Sequence, residues 1–291
     1  MPNNINLATN FSPLLDEVYK NASVTTDLAA PAELVRAGSS AKKVMYPKVD
    51  VNGLGDYDRN SGYTDGSVNV AWSEIEFTYD RGTKISVDTM DNQESFDIAF
   101  GRASSELVRT KVVPEGDAYT FAKIAGTEDI SAVEAGIAYA DGAELLAAIS
   151  AAQSKMDEDE VPLEERILYI TPTLYRMVEQ LDTTKSREVL ESFEKIVKVP
   201  QSRFYTKIDL LDGKSEGEAI GGYKKAADGN DINFMIIHKG AVIKIDKHVV
   251  GNVIDPANNP SSDSYILKYR KYGEVEVMAN KTAGVYLSYK A

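Results

Sequence analysis

The chain has 291 residues, of which 43% are hydrophobic and 26% charged, a composition typical of a globular protein with one large or two modest cores. The absence of cysteine excludes disulfides, thiol nucleophiles and thiolate zinc sites. A formal charge of -13 opposes binding to nucleic acid or anionic lipid unless basic residues form a separate patch, and the sequence shows no run of them.

Residues 1–41 are predicted to form an N-terminal arm. Their apolar residues are scattered among Asn, Ser, Thr and Ala. A short helix is indicated from Ser12 to Lys20, with Ser12 as its cap and Pro13 in its first turn. Because this segment has too little apolar surface to fold alone, we expect it to lie on the rest of the subunit or on a neighbour.

Residues 42–88 are predicted to form a long β-ribbon. Apolar and polar residues alternate over Val44–Val51 and again over Val68–Tyr79, and the intervening Asn52–Gly62 is rich in turn residues. A two-stranded ribbon of this length is marginal in water by itself. The ribbon therefore predicts a partner surface on another subunit.

The strongest helical pattern of the chain lies in Asp91–Val113. Phe96, Phe100, Ala103 and Leu107 are spaced by 4, 3 and 4 positions along one face. Pro114 should kink or restart this helix before Asp117–Ala125 continues it, because proline cannot donate a backbone hydrogen bond.

Shorter elements follow. A helix is predicted over Gly142–Met156, and the buried strand Ile167–Ile170 leads into a helix that begins at Thr171-Pro172 and ends at Gln180. Between residues 183 and 264 short strands alternate with polar loops, which suggests a second lobe. These strands and the three that end the chain are Ile196–Val199, Phe234–His238, Val242–Ile245, Val249–Ile254, Ser264–Lys271, Glu274–Ala279 and Gly284–Tyr289.

Several stretches, taken in order, resemble one family of proteins. They are Val44–Arg59, Phe77–Ile85, Asp88–Asn92, Arg109–Tyr119, Ile167–Tyr175, Phe234–Val242 and Lys281–Tyr286. No stretch is specific alone, but their joint order, from about residue 42 onward, resembles the major capsid protein of tailed bacteriophages with the Hong Kong 97-like fold.

The resemblance implies an α+β fold with four parts. Residues 1–41 would form the N-terminal arm and 42–88 the extended β-ribbon loop. Residues 89–182 and 265–291 would form the peripheral domain with the long spine helix, and 183–264 the axial domain.

The resemblance also implies a function. Subunits would self-assemble as hexamers and pentamers into the icosahedral shell that encloses the double-stranded DNA genome of a tailed phage or prophage. The expected partners are further copies of the chain, scaffolding and portal proteins, and a decoration protein, with DNA packaged without sequence-specific binding. Only about 40 residues precede the ribbon, so a separate scaffolding protein, or none, is implied. The expected location is the virion capsid, assembled in the bacterial host cytoplasm.

Candidate assembly residues come from the arm, the ribbon and the spine helix. They are Phe11, Leu14, Tyr46, Leu54, Tyr57, Arg59, Trp72, Arg81, Glu106 and Arg109. Certain relatives crosslink a ribbon lysine to an asparagine of another subunit. Solvated lysines that protect the ribbon edges are the simpler interpretation of Lys42, Lys43, Lys48 and Lys84.

One candidate metal motif fails on its spacing. Asp56, Asp58 and Asn60 have the spacing that opens a calcium loop, but Ser61 and Ser67 stand where glycine and a bidentate glutamate are required. An exposed turn is the better interpretation, and no metal or cofactor is expected.

No catalytic residues are predicted. Gly213–Ser215 resembles the end of a phosphate loop, but Ile208 replaces the required glycine. His238 and His248 are the only histidines, and nothing indicates a nucleophile and an acid that converge on either. An encapsulin-like nanocompartment shell and a soluble hydrolase with an acidic-loop site remain as alternatives. No secretion signal or membrane-length apolar run is found, so no membrane association is expected.

Overall fold

The computed structural model describes residues 23–29, 36–37, 42–53, 57, 59, 67–90, 105–132, 136–181 and 183–290. The predicted helix from Ser12 to Lys20 and the first part of the predicted spine helix lie outside these residues. So do the candidate interface residues Phe11, Leu14 and Leu54.

The predicted ribbon is present. Strands β1 (Arg36–Ala37), β2 (Lys43–Val51) and β3 (Val68–Glu76) form an antiparallel sheet in the order β1-β2-β3. The register of β2 and β3 runs without a shift from the Lys43–Glu76 pair to the Val51–Val68 pair. Strand β3, the second strand of the predicted ribbon, ends at Glu76, three residues earlier than the pattern predicts.

A second antiparallel sheet begins with β4 (Tyr79–Asp88). It continues with β11 (Val242–Ile254) and β12 (Ser264–Val277), in the order β11-β12-β4. The sequence pattern predicts a break within each of β11 and β12. Both predicted breaks are wrong, because each strand is continuous. A bulge between Asp246 and His248 explains the first.

Gly273 explains the other wrong prediction. A Cβ atom at this position would lie 2.6 Å from the Ile245 carbonyl oxygen, beside the bulge of β11. Glycine is required here for close approach of two strands, whereas the sequence alone suggests a turn.

Helix α1 (Val113–Ala125) packs beside this sheet and follows a π-helical turn, Val108–Val112. Pro114 has no N–H to donate to an earlier carbonyl, and the helix accommodates this with a wider turn instead of breaking. Val108 and Val113 are fully buried against Leu267 and Tyr269 of β12.

The largest sheet is mixed and has five strands. They are β5 (Ser131–Ala132), β6 (Arg166–Ile170), β7 (Lys195–Lys198), β10 (Ile232–His238) and β13 (Val285–Tyr289), in the order β5-β13-β10-β6-β7. The outer pairs are parallel and the inner pairs antiparallel. Every residue of β6 is buried, which explains the continuous apolar run Ile167–Ile170.

Three further helices accompany this sheet: α2 (Gly142–Glu158), α3 (Pro172–Glu179) and α4 (Thr184–Glu191). Leu145 and Ile149 of α2 pack against Leu168 and Ile236 on one face of the sheet. Tyr169 and Met235, which point to the other face, pack with Phe121 of α1 and the rest of a second core cluster. The two helices α2 and α3 match their predicted ranges to within two residues.

The region between residues 183 and 264 differs from the prediction in two ways. Helix α4 was not predicted, although Thr183 and Ser186 form a reciprocal capping box at its start. Strand β10 pairs with β6 and β13, which lie outside this region, so the five-stranded sheet does not follow the predicted domain boundaries. The rest of the region includes a small hairpin of β8 (Ile208–Leu210) and β9 (Tyr223–Lys225).

Candidate assembly surface

The base of the ribbon is attached to the rest of the subunit by apolar contacts. Val44 and Tyr46 of β2 and Ile75 of β3 share one face of the ribbon and are buried. Tyr46 and Ile75 pack against Ile243 of β11. Tyr46, a predicted interface residue, therefore lies inside its own subunit, where it supports the ribbon.

Farther from the body, the apolar side chains occupy the opposite face. Successive residues of a strand point to opposite sides, and the register pairs Val51 with Val68 and Pro47 with Trp72. We call this surface the distal ribbon face. Its members are Pro47, Val51, Val68, Val70 and Trp72.

The distal ribbon face is open to solvent. The exposed fractions are 62% for Val51, 66% for Val68, 51% for Val70 and 43% for Trp72. On the same face, nearer the body, Met45 is half-buried and the Lys43 ammonium lies 2.6 Å from the Glu74 carboxylate. The exposed apolar side chains are therefore confined to the part of the ribbon that its own subunit leaves uncovered.

Two predicted residues lie at the ribbon tip and are exposed. Tyr57 has 60% of its surface exposed, and Arg59 is also exposed. Both are therefore accessible to a neighbouring molecule.

Arg81 on β4 makes its contacts within the subunit. Its guanidinium donates to the Glu115 carboxylate of α1 at 2.7 Å and to the Gly222 carbonyl at 3.1 Å. The Tyr79 hydroxyl also donates to Glu115, at 3.2 Å. No sequence signal pointed to Glu115, because its partners lie on other elements.

Glu106 and Arg109 form an exposed pair on the helical segment that precedes α1. Their side chains are 2.8 Å apart at positions i and i+3. Such exposed pairs add little to stability, so both side chains can exchange this contact for one with a neighbour.

An acidic-loop catalytic site would have to use the open groove that follows α2 in the chain. This groove has a volume of about 450 Å³ and is lined by Leu163, Ser192, Phe193 and several glutamates. The Ser192 hydroxyl donates to the Val189 carbonyl at 2.7 Å, so it is held by the helix backbone and not by a general base. His238, a candidate general base, does not line this groove. Burial lowers the pKa of His238.

Within the described ranges, no group of three or more histidine or carboxylate side chains is placed to hold a metal ion. Among the helices of the same residues, none is long and apolar enough to cross a membrane.

Comparison by sequence gives no relative: no family model matches the chain, and no curated protein does. Comparison by structure gives many. The capsid of the cyanophage P-SCSP1u matches with a TM-score of 0.59 and 17% identity, over 93% of this chain and 88% of that chain. The capsid of the Myoviridae phage XM1 matches with a TM-score of 0.56 and 11% identity, over 93% and 92%.

A third match is the virus-like particle from Pyrococcus furiosus, with a TM-score of 0.58 and 10% identity, over 97% of this chain and 99% of that chain. At such identities the likeness lies in the fold. The chain therefore has the mixed helix-and-strand fold of tailed-phage capsid structures, as the sequence resemblance predicts.

Proposed function

We propose that the chain is the major capsid protein of a tailed bacteriophage or prophage. Its subunits assemble as hexamers and pentamers into an icosahedral shell around double-stranded DNA. The observation that carries this proposal is the exposed distal ribbon face on a fold shared with capsids.

The distal ribbon face needs a partner for energetic reasons. Full burial of one valine side chain is worth roughly 1.5–3 kcal/mol, and the face presents three partly exposed valines beside a tryptophan. An apolar strip of this kind marks an interaction surface. A second copy of the chain is the partner that a shell built from one protein supplies.

The charge of the chain fits this role. A formal charge of -13 keeps free subunits soluble and gives the shell no general attraction for DNA phosphates. DNA would then be enclosed without sequence-specific binding, and scaffolding, portal and decoration proteins would be the other partners. The chain would need no cofactor, would catalyse no reaction, and would be found in the virion after assembly in the host cytoplasm.

The candidate interface residues that the structure describes divide into two groups under this proposal. Trp72, Tyr57, Arg59, Glu106 and Arg109 are accessible for contacts between subunits. Tyr46 and Arg81 hold the ribbon and β4 in place from within.

The test is electron microscopy of the purified protein with one matched pair of variants. Val70→Lys places a charge on the distal ribbon face, whereas Asn69→Lys places the same charge on the opposite face of the same strand. We expect the unchanged protein and Asn69→Lys to form closed shells, and Val70→Lys to remain folded but unassembled. If Val70→Lys forms shells, the distal ribbon face is not needed for assembly. If the unchanged protein stays monomeric under all conditions, the proposed function is wrong.

An encapsulin-like nanocompartment shell is the second candidate. The likeness to a virus-like particle over nearly the full length of both chains favours it. The contents of shells isolated from the natural source distinguish the two, since nuclease-protected double-stranded DNA indicates a phage capsid and enclosed enzymes indicate a nanocompartment. No observation on the described residues favours a soluble hydrolase.

A further inference from the structure

The ribbon joins the body of the subunit at Phe77 and Thr78. These two residues separate β3, in the ribbon sheet, from β4, in the sheet that packs on α1. The Phe77 N–H donates to the Lys42 carbonyl at 2.9 Å, and the Phe77 ring lies 5.1 Å from that of Tyr272. The direction of the ribbon is therefore decided at this junction.

One buried carboxylate contacts the junction directly. Glu274 of β12 is only 4% exposed. Its Oε2 atom accepts hydrogen bonds from the Thr78 N–H at 2.8 Å and from the Thr78 hydroxyl at 2.5 Å. Its Oε1 atom accepts one from the Tyr119 hydroxyl of α1 at 2.6 Å, with the Lys123 ammonium 3.7 Å away. Glu274 thus connects the ribbon junction, the helix and the sheet.

Tyr119 completes the contact on the side of α1. Its hydroxyl lies 3.1 Å from the Thr78 hydroxyl, and its ring centroid lies 4.6 Å from that of Tyr79, the first residue of β4. Burial and the bond to Glu274 raise the pKa of Tyr119, so the hydroxyl stays a donor above the pH at which an ordinary tyrosine ionises.

Stability alone does not account for this arrangement. Desolvation of a carboxylate is costly, and apolar side chains of similar volume often give equal or greater stability. Apolar contacts, however, are not directional and do not determine the orientation of the backbone at the junction. Two donors of Thr78 on one oxygen and one donor of Tyr119 on the other define the orientation of the Thr78 backbone relative to α1.

The ribbon amplifies any change at this junction. At about 3.3 Å per residue, the nine residues of β2 span about 30 Å, so a rotation of about 10° at the base moves the far end by about 5 Å. That displacement is as large as the spacing between neighbouring strands. A small angular error would therefore remove the distal ribbon face from its intended contact.

We propose that Glu274, Thr78 and Tyr119 form a hydrogen-bonded clamp that sets the angle between the ribbon and the body of the subunit. Glu274 is then a positioning residue for the distal ribbon face. Only the consequence for shell geometry rests on the proposed function, because the angle itself is a property of the single subunit.

The chain contains no cysteine, which allows the angle to be measured by spin labelling. Ala71→Cys on the ribbon and Ala147→Cys on α2 give two exposed attachment points. Double electron–electron resonance on dilute, unassembled subunits should give one narrow distance distribution. In Glu274→Gln, which loses one acceptor oxygen, we expect the distribution to become at least twice as wide.

Two further variants make the result specific. Tyr119→Phe and Thr78→Val each remove one hydroxyl and should widen the distribution by a smaller factor. They also provide the test if Glu274→Gln fails to fold. Asp80→Asn, which weakens the exposed pair with Arg270 on the same sheet, should leave it unchanged. Unchanged widths in all folded clamp variants, even with a lower free energy of unfolding, would show a merely structural role and overturn the proposal.

Assembly provides an independent measurement. If the unchanged protein forms shells of one diameter, the clamp variants should form shells or sheets of mixed curvature. If it forms no shells, the proposed function fails, while the distance distributions still decide whether the clamp exists.

Discussion

The fold changes the ionisation of Lys244. It lies on β11, and its ammonium donates to the Thr25 hydroxyl at 2.6 Å in the interior of the subunit. Burial, followed by the nearby charge of Lys271, lowers the pKa of Lys244 to about 8. Thr25 in turn donates to the fully buried Asp117 carboxylate at 2.7 Å, so the two charges are linked through one hydroxyl.

The lowered pKa of Lys244 predicts a pH dependence of stability. Between pH 8 and its ordinary pKa of 10.5, the unfolded chain binds more protons at this site than the folded one. The cost of burying the charged form is therefore present below pH 8 and is relieved as the pH rises through this window. The free energy of unfolding should rise by an amount on the order of 1 kcal/mol between pH 7.5 and about 9.5.

Denaturant unfolding of the unchanged protein and of Lys244→Met measures this effect. We expect the rise to be absent in Lys244→Met. The upper limit avoids the buried Tyr169 and Tyr119, whose raised pKa values make the folded state less favourable above about pH 10. A stability that falls equally in both proteins over this range would contradict the assignment to Lys244.

Gly142 gives a second prediction for a single residue. It is the first residue of α2, and a Cβ atom there would lie 2.2 Å from the Met177 carbonyl oxygen of α3. Gly142→Ala must push the two helices apart and should lower the free energy of unfolding by about 2 kcal/mol. Gly53→Ala is the control, because nothing lies within 4 Å of its added methyl group. Equal stability of the two variants would show that α2 and α3 can separate without cost.

For whole elements, local signals decided what could be predicted. Asp141 caps α2 through its side chain, and Pro172 begins α3, so both helices are evident from a few neighbouring residues. Strand pairing has no such signal. Phe234 pairs with Ile170 and Ile237 with Val285, partners that lie about 50 or more residues apart, and the predicted lobes therefore divided one sheet.

The candidate assembly surface was partly predictable for the same reason. Alternation along β2 and β3 predicted the ribbon, and a ribbon of that length predicted a partner. Alternation along the strand shows that the apolar residues change face between Tyr46 and Pro47. Which of the two faces the body covers depends on Ile243, which lies far along the chain. Glu274 carried no sequence signal, because Thr78 and Tyr119, which both donate to it, lie far from it along the chain.

Residues 23–29 of the N-terminal arm behave as a core element. Leu28 is 1% exposed and packs in the main cluster, while Ser23 donates to Asp117 at 2.6 Å. Leu28→Ala should therefore lower the free energy of unfolding by about 3 kcal/mol. Asp27→Asn, which weakens the exposed contact with Lys195, should change it by less than about 0.5 kcal/mol. A small effect of Leu28→Ala in unassembled subunits would mean that this segment docks only after assembly.

At the scale of the whole molecule, two opposing forces act on association. The distal ribbon face favours contact through apolar burial, which salt does not weaken. The formal charge of -13 on every copy opposes contact through repulsion, which salt screens within about 10 Å at 0.1 M. The balance between them should be adjustable by ionic strength alone.

This balance predicts that salt promotes assembly. Raising sodium chloride from about 0.05 M to about 0.5 M shortens the screening length roughly threefold, so the fraction of subunits in shells, measured by light scattering and sedimentation, should increase. Val70→Lys should gain little, because screening cannot restore a lost apolar contact. The opposite trend, with shells that dissociate as salt rises, would mean that ion pairs hold neighbouring subunits together. Exposed charged pairs such as Glu106–Arg109 would then be the first contacts to examine, and the ribbon would have only a secondary role.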